Sequence, residues 1–220
     1  MFKHNFAQMG KSGFYSAAEE RINIYSHALG LLLSVVAFIM LILKSVDTDR
    51  GVAYFFSVVT YGVSLITLYS ASTFYHKEKD VEKRKRLRIF DHAAIYILIA
   101  GTYTPFALVT LPDKIGWWIF AISWSFGLTG IVLKIFFTGR YSLLSTLMYI
   151  FMGWMAVFVI KPLMVNLSPD GLFWLTAGGI TYTVGAVLYS IKKIPYNHAI
   201  FHIFVLIGSA CHFVAVYWYV

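Results

Sequence analysis

The sequence predicts an all-α membrane protein, a seven-transmembrane helix bundle with its N-terminus in the cytoplasm and its C-terminus outside. Three observations predict it. Of 220 residues, 59% are hydrophobic and only 13% are charged, roughly half the charged share of a soluble domain. The apolar residues gather into runs of about 20, the length that crosses a hydrocarbon core. Threading those runs back and forth puts most lysines and arginines on one side.

Taken in order, residues 1–21 are polar, with Lys3, Lys11 and the Glu19-Glu20-Arg21 cluster. They lack the short apolar core of a cleavable signal peptide and read as a cytoplasmic lead-in. Residues 22–220 then form one seven-span domain, because no linker is long enough to hold a second. The first span, about Ile24 to Leu43, doubles as an uncleaved insertion signal. The charged loop Lys44 to Arg50 precedes the second, about Val52 to Tyr75. Lys77 to Arg88 is highly charged and reads as a solvated loop that sets topology. The third span runs from about Ile89 to Leu111, and Pro105 within it should kink the helix and free a carbonyl. The fourth, about Ile115 to Phe137, is separated from the fifth, about Leu143 to Ile160, only by Thr138-Gly139-Arg140-Tyr141. The sixth covers about Leu172 to Ile191 and the seventh about His198 to Val220. Gly178-Gly179 and Gly208-Ser209-Ala210 are small enough to let helices approach closely. Trp117-Trp118 and Tyr217-Trp218-Tyr219 fall at outer ends, where an aromatic belt is expected.

The basic residues orient the bundle. Lys3, Lys11, Arg21, the seven from Lys77 to Arg88, Lys134, Arg140, Lys192 and Lys193 lie on one side, fourteen in all. Lys44, Arg50, Lys114 and Lys161 lie on the other. The richer side is cytoplasmic. The net charge of +8 therefore reports orientation and anionic lipid headgroups rather than nucleic acid. Membrane lipids are the expected partners, in the plasma (inner) membrane. The single cysteine, Cys211, excludes a disulfide framework and a multi-cysteine metal site, and reads as a small packing residue.

Chemistry is expected where ionisable residues enter the spans. His198 and His202 lie four apart and share one helix face. His76 ends the second span, Asp91 and His92 open the third, and His27 lies near the start of the first. All fall at the cytoplasmic depth that the lysines and arginines define. His76, His198 and His202 are read as zinc ligands, since three neutral imidazoles leave a coordination position open. Residues 199–201 are Ala, Ile and Phe, so no glutamate follows the first histidine as in a His-Glu-x-x-His helix. The general base is then Asp91, from another helix. Ser72, one turn before His76, is placed to hydrogen-bond water or a substrate carbonyl. His4 and His212 read as interfacial or packing residues.

These same residues carry a resemblance. Glu19-Glu20-Arg21-Ile22-Asn23 with His27 and Gly30, Ser72-Thr73-Phe74-Tyr75-His76, Asp91-His92 with the run Ile95 to Pro105, and His198-Ala199-Ile200-Phe201-His202 with His212-Phe213 resemble the hemolysin III family. That family is the bacterial branch of the progestin and adipoQ receptor family of seven-span proteins. The resemblance implies a zinc site built from Ser72, His76, Asp91, His198 and His202. Related adipose-hormone receptors share the fold and are thought to hydrolyse ceramides, while bacterial members are linked by name to hemolysis and by proposal to membrane-lipid homeostasis. The leading expectation is a zinc-dependent hydrolase of a lipid amide or ester. The alternatives are a membrane-state sensor with a structural zinc and, ranked last, a membrane-lytic protein. Polar groups that stop on one side do not line a pore.

Overall fold

The computed structural model describes residues 15–48, 50–137 and 142–220. Among them the secondary structure is helical throughout: α1 (Ala17–Asp47), α2 (Gly51–Lys77), α3 (Val81–Pro105), α4 (Asp113–Phe137), α5 (Ser142–Gly153), α6 (Ile160–Asn166), α7 (Pro169–Ser190) and α8 (Asn197–Tyr219). Seven stretches are long and apolar enough to cross a membrane. The fifth is composite, with a 3₁₀ segment, Met155–Val159, joining α5 to α6. The Thr138–Tyr141 break, like Lys3, His4 and Lys11, lies outside the described residues.

The helices start earlier than the apolar runs. Ser16 caps α1 by accepting from the Glu19 amide at 3.2 Å, which satisfies one orphan donor of the first turn. Glu19, Glu20 and Arg21 are therefore the first turns of α1 and not part of a separate lead-in. With 31 residues, α1 is about 46 Å long, well beyond the roughly 30 Å hydrocarbon thickness. Asp80 caps α3 in the same way, accepting from the Lys83 amide at 2.8 Å. From Val81 onward the charged stretch is thus helical. Pro105 ends regular α3, and the chain continues through a π-helical turn, Phe106–Thr110, the irregularity expected where a proline removes a helix hydrogen bond.

The packing is that of a bundle in oil. Leu32, Leu43, Val52, Phe74, Phe136 and Phe158 point outward, and the interior instead collects hydroxyls: Ser26, Ser57, Ser64, Ser72, Thr104 and Ser123 are buried beside Tyr54, Tyr61, Tyr69 and Tyr96. Polar side chains face inward because only protein can satisfy them there. Tyr69 of α2 donates to Ser209 of α8 at 2.8 Å, and Tyr182 of α7 bonds the same hydroxyl at 2.8 Å. Gly30 makes the first contact possible, since a Cβ there would lie 2.4 Å from the Tyr69 ring. Gly178 likewise faces His212, at 2.1 Å from a built Cβ. His212 donates to the Leu175 carbonyl at 3.1 Å, so it packs α8 on α7. The start of α1, the end of α2 and the start of α8 meet at one end of the bundle.

Candidate metal centre

Three imidazoles converge at that end. His76 arrives on the last turn of α2, while His198 and His202 occupy the first two turns of α8. The backbone before α8 is unusual: Tyr196 adopts a left-handed conformation, φ 56° and ψ 27°, that turns the chain into the helix directly ahead of His198. Helical spacing then stacks His198 and His202 on one face. The His198 Nε2 lies 3.2 Å from His76 Nε2 and 3.1 Å from His202 Nε2, and ligating atoms of all three lie within 4.8 Å of one another. His76 and His202 are buried, and His198 is mostly buried but retains some exposure.

This geometry can hold a metal ion. Neutral imidazoles each offer one lone pair, and several lone pairs at such distances repel unless a cation or shared protons lie between them. Imidazole–zinc bonds of about 2.0–2.1 Å at tetrahedral angles place ligand nitrogens about 3.3 Å apart, close to the two separations seen. The donor set is also the right one for a borderline-soft divalent ion.

An unusually dense shell surrounds the three rings. His76 Nδ1 donates to Glu20 Oε2 at 2.7 Å, which leaves its Nε2 as the acceptor facing the cluster. Glu20 also pairs with Arg84 of α3. Tyr15 stacks on His198, with ring centroids 4.6 Å apart and planes at 9°. His27 of α1 stacks on His202 at 3.6 Å and meets Tyr69 edge-on. Several buried polar atoms here have no protein hydrogen-bond partner: Ser72 Oγ, Asn23 Oδ1, both His27 nitrogens, and Nδ1 of His198 and His202. Native interiors seldom leave so many polar atoms together without a ligand, ion or water to serve. At the rim, burial raises the Tyr15 phenol above its ordinary value, helped by Tyr189. Burial lowers the Lys192 ammonium, which sits 3.9 Å over the Tyr189 ring.

The sequence-predicted residues divide. His76, His198 and His202 come together. Ser72 is buried on α2, one turn before His76. Asp91 lies about three turns into α3 because that helix begins at Val81. Its Oδ2 is 3.8 Å from His92 Nδ1, it is not among the atoms that converge on the triad, and its charge reaches the rim at Tyr15. His92 Nδ1 donates to the Arg88 carbonyl at 2.7 Å, and His92 is not among the residues whose ligating atoms converge.

Comparison with known proteins places this architecture. The sequence profile described as "Haemolysin-III related" matches residues 15–213. The chain belongs to the hemolysin III family. Within it, the chain is 47% identical to Hemolysin-3 of Bacillus cereus over 203 residues, covering 92% of each. It is 45% identical to the Hemolysin-3 homolog of Bacillus subtilis (strain 168), covering 93% of this chain and 96% of that one. A more distant relative, the human monocyte to macrophage differentiation factor, is 28% identical over 213 residues, with 91% of this chain and 84% of that protein covered. This breadth fits the wider progestin and adipoQ receptor family.

Sequence reasoning missed Tyr15, Glu20 and Arg84 as neighbours of the site. A signal for α1 was present: Glu19, Asn23, Ser26, His27, Gly30 and Ser34 recur at three- and four-residue steps and form its buried stripe. Polar and small residues at helical period in an oily helix mark an inward face. Nothing singles out Arg84 among seven basic residues in one run. The helix start at Val81 selects it.

Proposed function

We propose that this hemolysin III family member is a zinc-dependent hydrolase of a lipid amide or ester, acting in membrane-lipid homeostasis at the cytoplasmic face of the plasma membrane. The observation that carries the reading is the convergence of three imidazole Nε2 atoms from α2 and α8. When bound, zinc would supply a Lewis acid for a carbonyl and would bring the pKa of water towards about 7.

The chain's own residues supply the rest. Hydrolysis adds hydroxide to the acyl carbon and a proton to the departing amine or alcohol. Asp91 is assigned as the base that takes the proton from water and returns it to the leaving group. Support comes from a part-buried carboxylate whose charge is felt at Tyr15, the ring stacked on His198. Ser72 Oγ, buried and without a protein partner, is assigned to donate to the substrate carbonyl. At about 40 Å, the 27 residues of α2 exceed the hydrocarbon thickness. His76, at its end, then belongs near the headgroup boundary, where the amide or ester bond of a membrane lipid lies.

A second reading has one observation in its favour. Tyr15 stacks over His198, the one triad member that is partly open, and an enclosed site suits a structural metal that ties α2 to α8 in a sensor of membrane state. The two readings separate on purified, zinc-loaded protein offered a panel of ceramides, other amide lipids and ester lipids. Release of free fatty acid that disappears in Asp91→Asn and Ser72→Ala supports the hydrolase. Absence of turnover across the panel, with metal bound, leaves the sensor.

A further inference from the structure

A buried guanidinium and a part-buried carboxylate are committed to one histidine. Glu20 is held from three directions: His76 Nδ1 donates to Oε2 at 2.7 Å, Arg84 pairs with Oε1, and the Tyr15 amide donates to Oε1 at 3.2 Å. Arg84, 4% exposed, donates in turn to the carbonyls of Tyr75 at 3.1 Å, His76 at 3.2 Å and Glu78 at 3.2 Å. Its guanidinium also lies 4.6 Å over the Tyr75 ring. The contacts therefore close a loop from the His76 ring through Glu20 and Arg84 back to the His76 carbonyl. Three helices, α1, α2 and α3, contribute to it.

A neutral imidazole has two tautomers, and only the one protonated at Nδ1 presents an Nε2 lone pair to the cluster. For His198 and His202 no carboxylate selects that tautomer: their Nδ1 atoms have no side-chain partner, and only the Asn23 backbone approaches the His202 ring. His76 alone among the three has its outer nitrogen held by a carboxylate. We propose that Glu20 is a positioning residue of the metal centre, fixing the tautomer and ring angle of His76, with Arg84 holding the Glu20 carboxylate in register. The proposal rests on the reading of the triad as a metal site. It gives the N-terminal turns of α1 and the basic stretch after α2 a shared task, orienting the ligand that α2 supplies. A carboxylate behind a ligating histidine also raises its basicity, and loss of such a partner typically weakens metal binding 10–100-fold.

The test uses the full chain in detergent, with zinc affinity measured by competition against a chromophoric chelator. Cobalt-loaded protein gives the ligand-field spectrum, and thermal unfolding of metal-free protein provides the fold control. Glu20→Ala is expected to weaken zinc binding about 10–100-fold and to alter the cobalt spectrum. Glu20→Gln, which still accepts from Nδ1–H but cannot pair with Arg84, should lose less, and Arg84→Met should fall in the same direction. If Glu20→Ala does not fold, the near-isosteric Glu20→Gln carries the test. Wild-type affinity and spectrum in both Glu20 variants, beside a His76→Ala protein that loses metal, would overturn the inference, even if the metal-free variants melt earlier. A wild-type protein that binds no metal would overturn the metal-site reading itself, and this inference with it.

Discussion

Replacing Arg84 with Met tests whether the charged stretch after α2 is solvated loop or interior. Met keeps the apolar stem and removes the guanidinium. The change strands the Tyr75, His76 and Glu78 carbonyls at the end of α2 and leaves Glu20 with a lost charge partner. Hydrogen bonds from a charged donor are each worth about 1.5–3 kcal/mol net, but these share one group and do not add. Breaking a buried ion pair by removing one partner costs about 3–5 kcal/mol, and we take that as the total. For a chain of this size, about 2–4 °C of melting temperature per kcal/mol gives a fall of roughly 6–20 °C. The assay is thermal unfolding of the purified protein in detergent, with Lys85→Met as the control. Lys85 pairs with Glu82 on the exposed surface, so its loss should be within about 1 kcal/mol. Equal melting temperatures for the two variants would refute the interior role of Arg84.

Four further outcomes follow from particular contacts. Gly178→Ala should cost about 1–3 kcal/mol, read as a lower melting temperature, because its Cβ would press on the His212 ring and loosen the bond to Leu175. Ser72→Ala should leave the melting temperature close to that of wild type, since the buried Ser72 Oγ has no protein partner to lose and its removal strands no other group, while lipid turnover falls. Tyr196→Gly should relieve about 1 kcal/mol of left-handed strain and raise or preserve stability in chemical denaturation. The Tyr15 phenol is raised by burial above its ordinary value of 10.0, so the unfolded chain releases that proton first. Stability then falls as pH rises past about 10, and Tyr15→Phe should flatten that fall in melting curves taken from pH 9 to 12.

The membrane fold was legible because the bilayer imposes one length and one composition on every span, and lysine and arginine order them. The triad was legible because the i, i+4 spacing of His198 and His202 puts them on one face, and alternation of spans returns His76 to the same end. What the residues did not announce was register. Asp91 looked like the start of α3, yet the Asp80 cap begins that helix three turns earlier. Glu20 looked like part of a polar lead-in, but Ser16 caps α1 ahead of it and turns it inward to His76. Arg84 sat in a run whose composition reads as solvated surface, and only the helical phase set at Val81 buries it. Each difference comes from a local cap that composition averages over.

The proposed function depends on whether the three imidazoles hold a metal. The most direct measurement is elemental metal analysis of the purified wild type beside a His198→Ala, His202→Ala double variant, with thermal unfolding run on both to show that the fold persists. About one zinc per wild-type chain is expected, as a three-histidine site takes, and little or none in the folded double variant. Equal metal content in the two proteins, or none in the wild type, would contradict the proposed function.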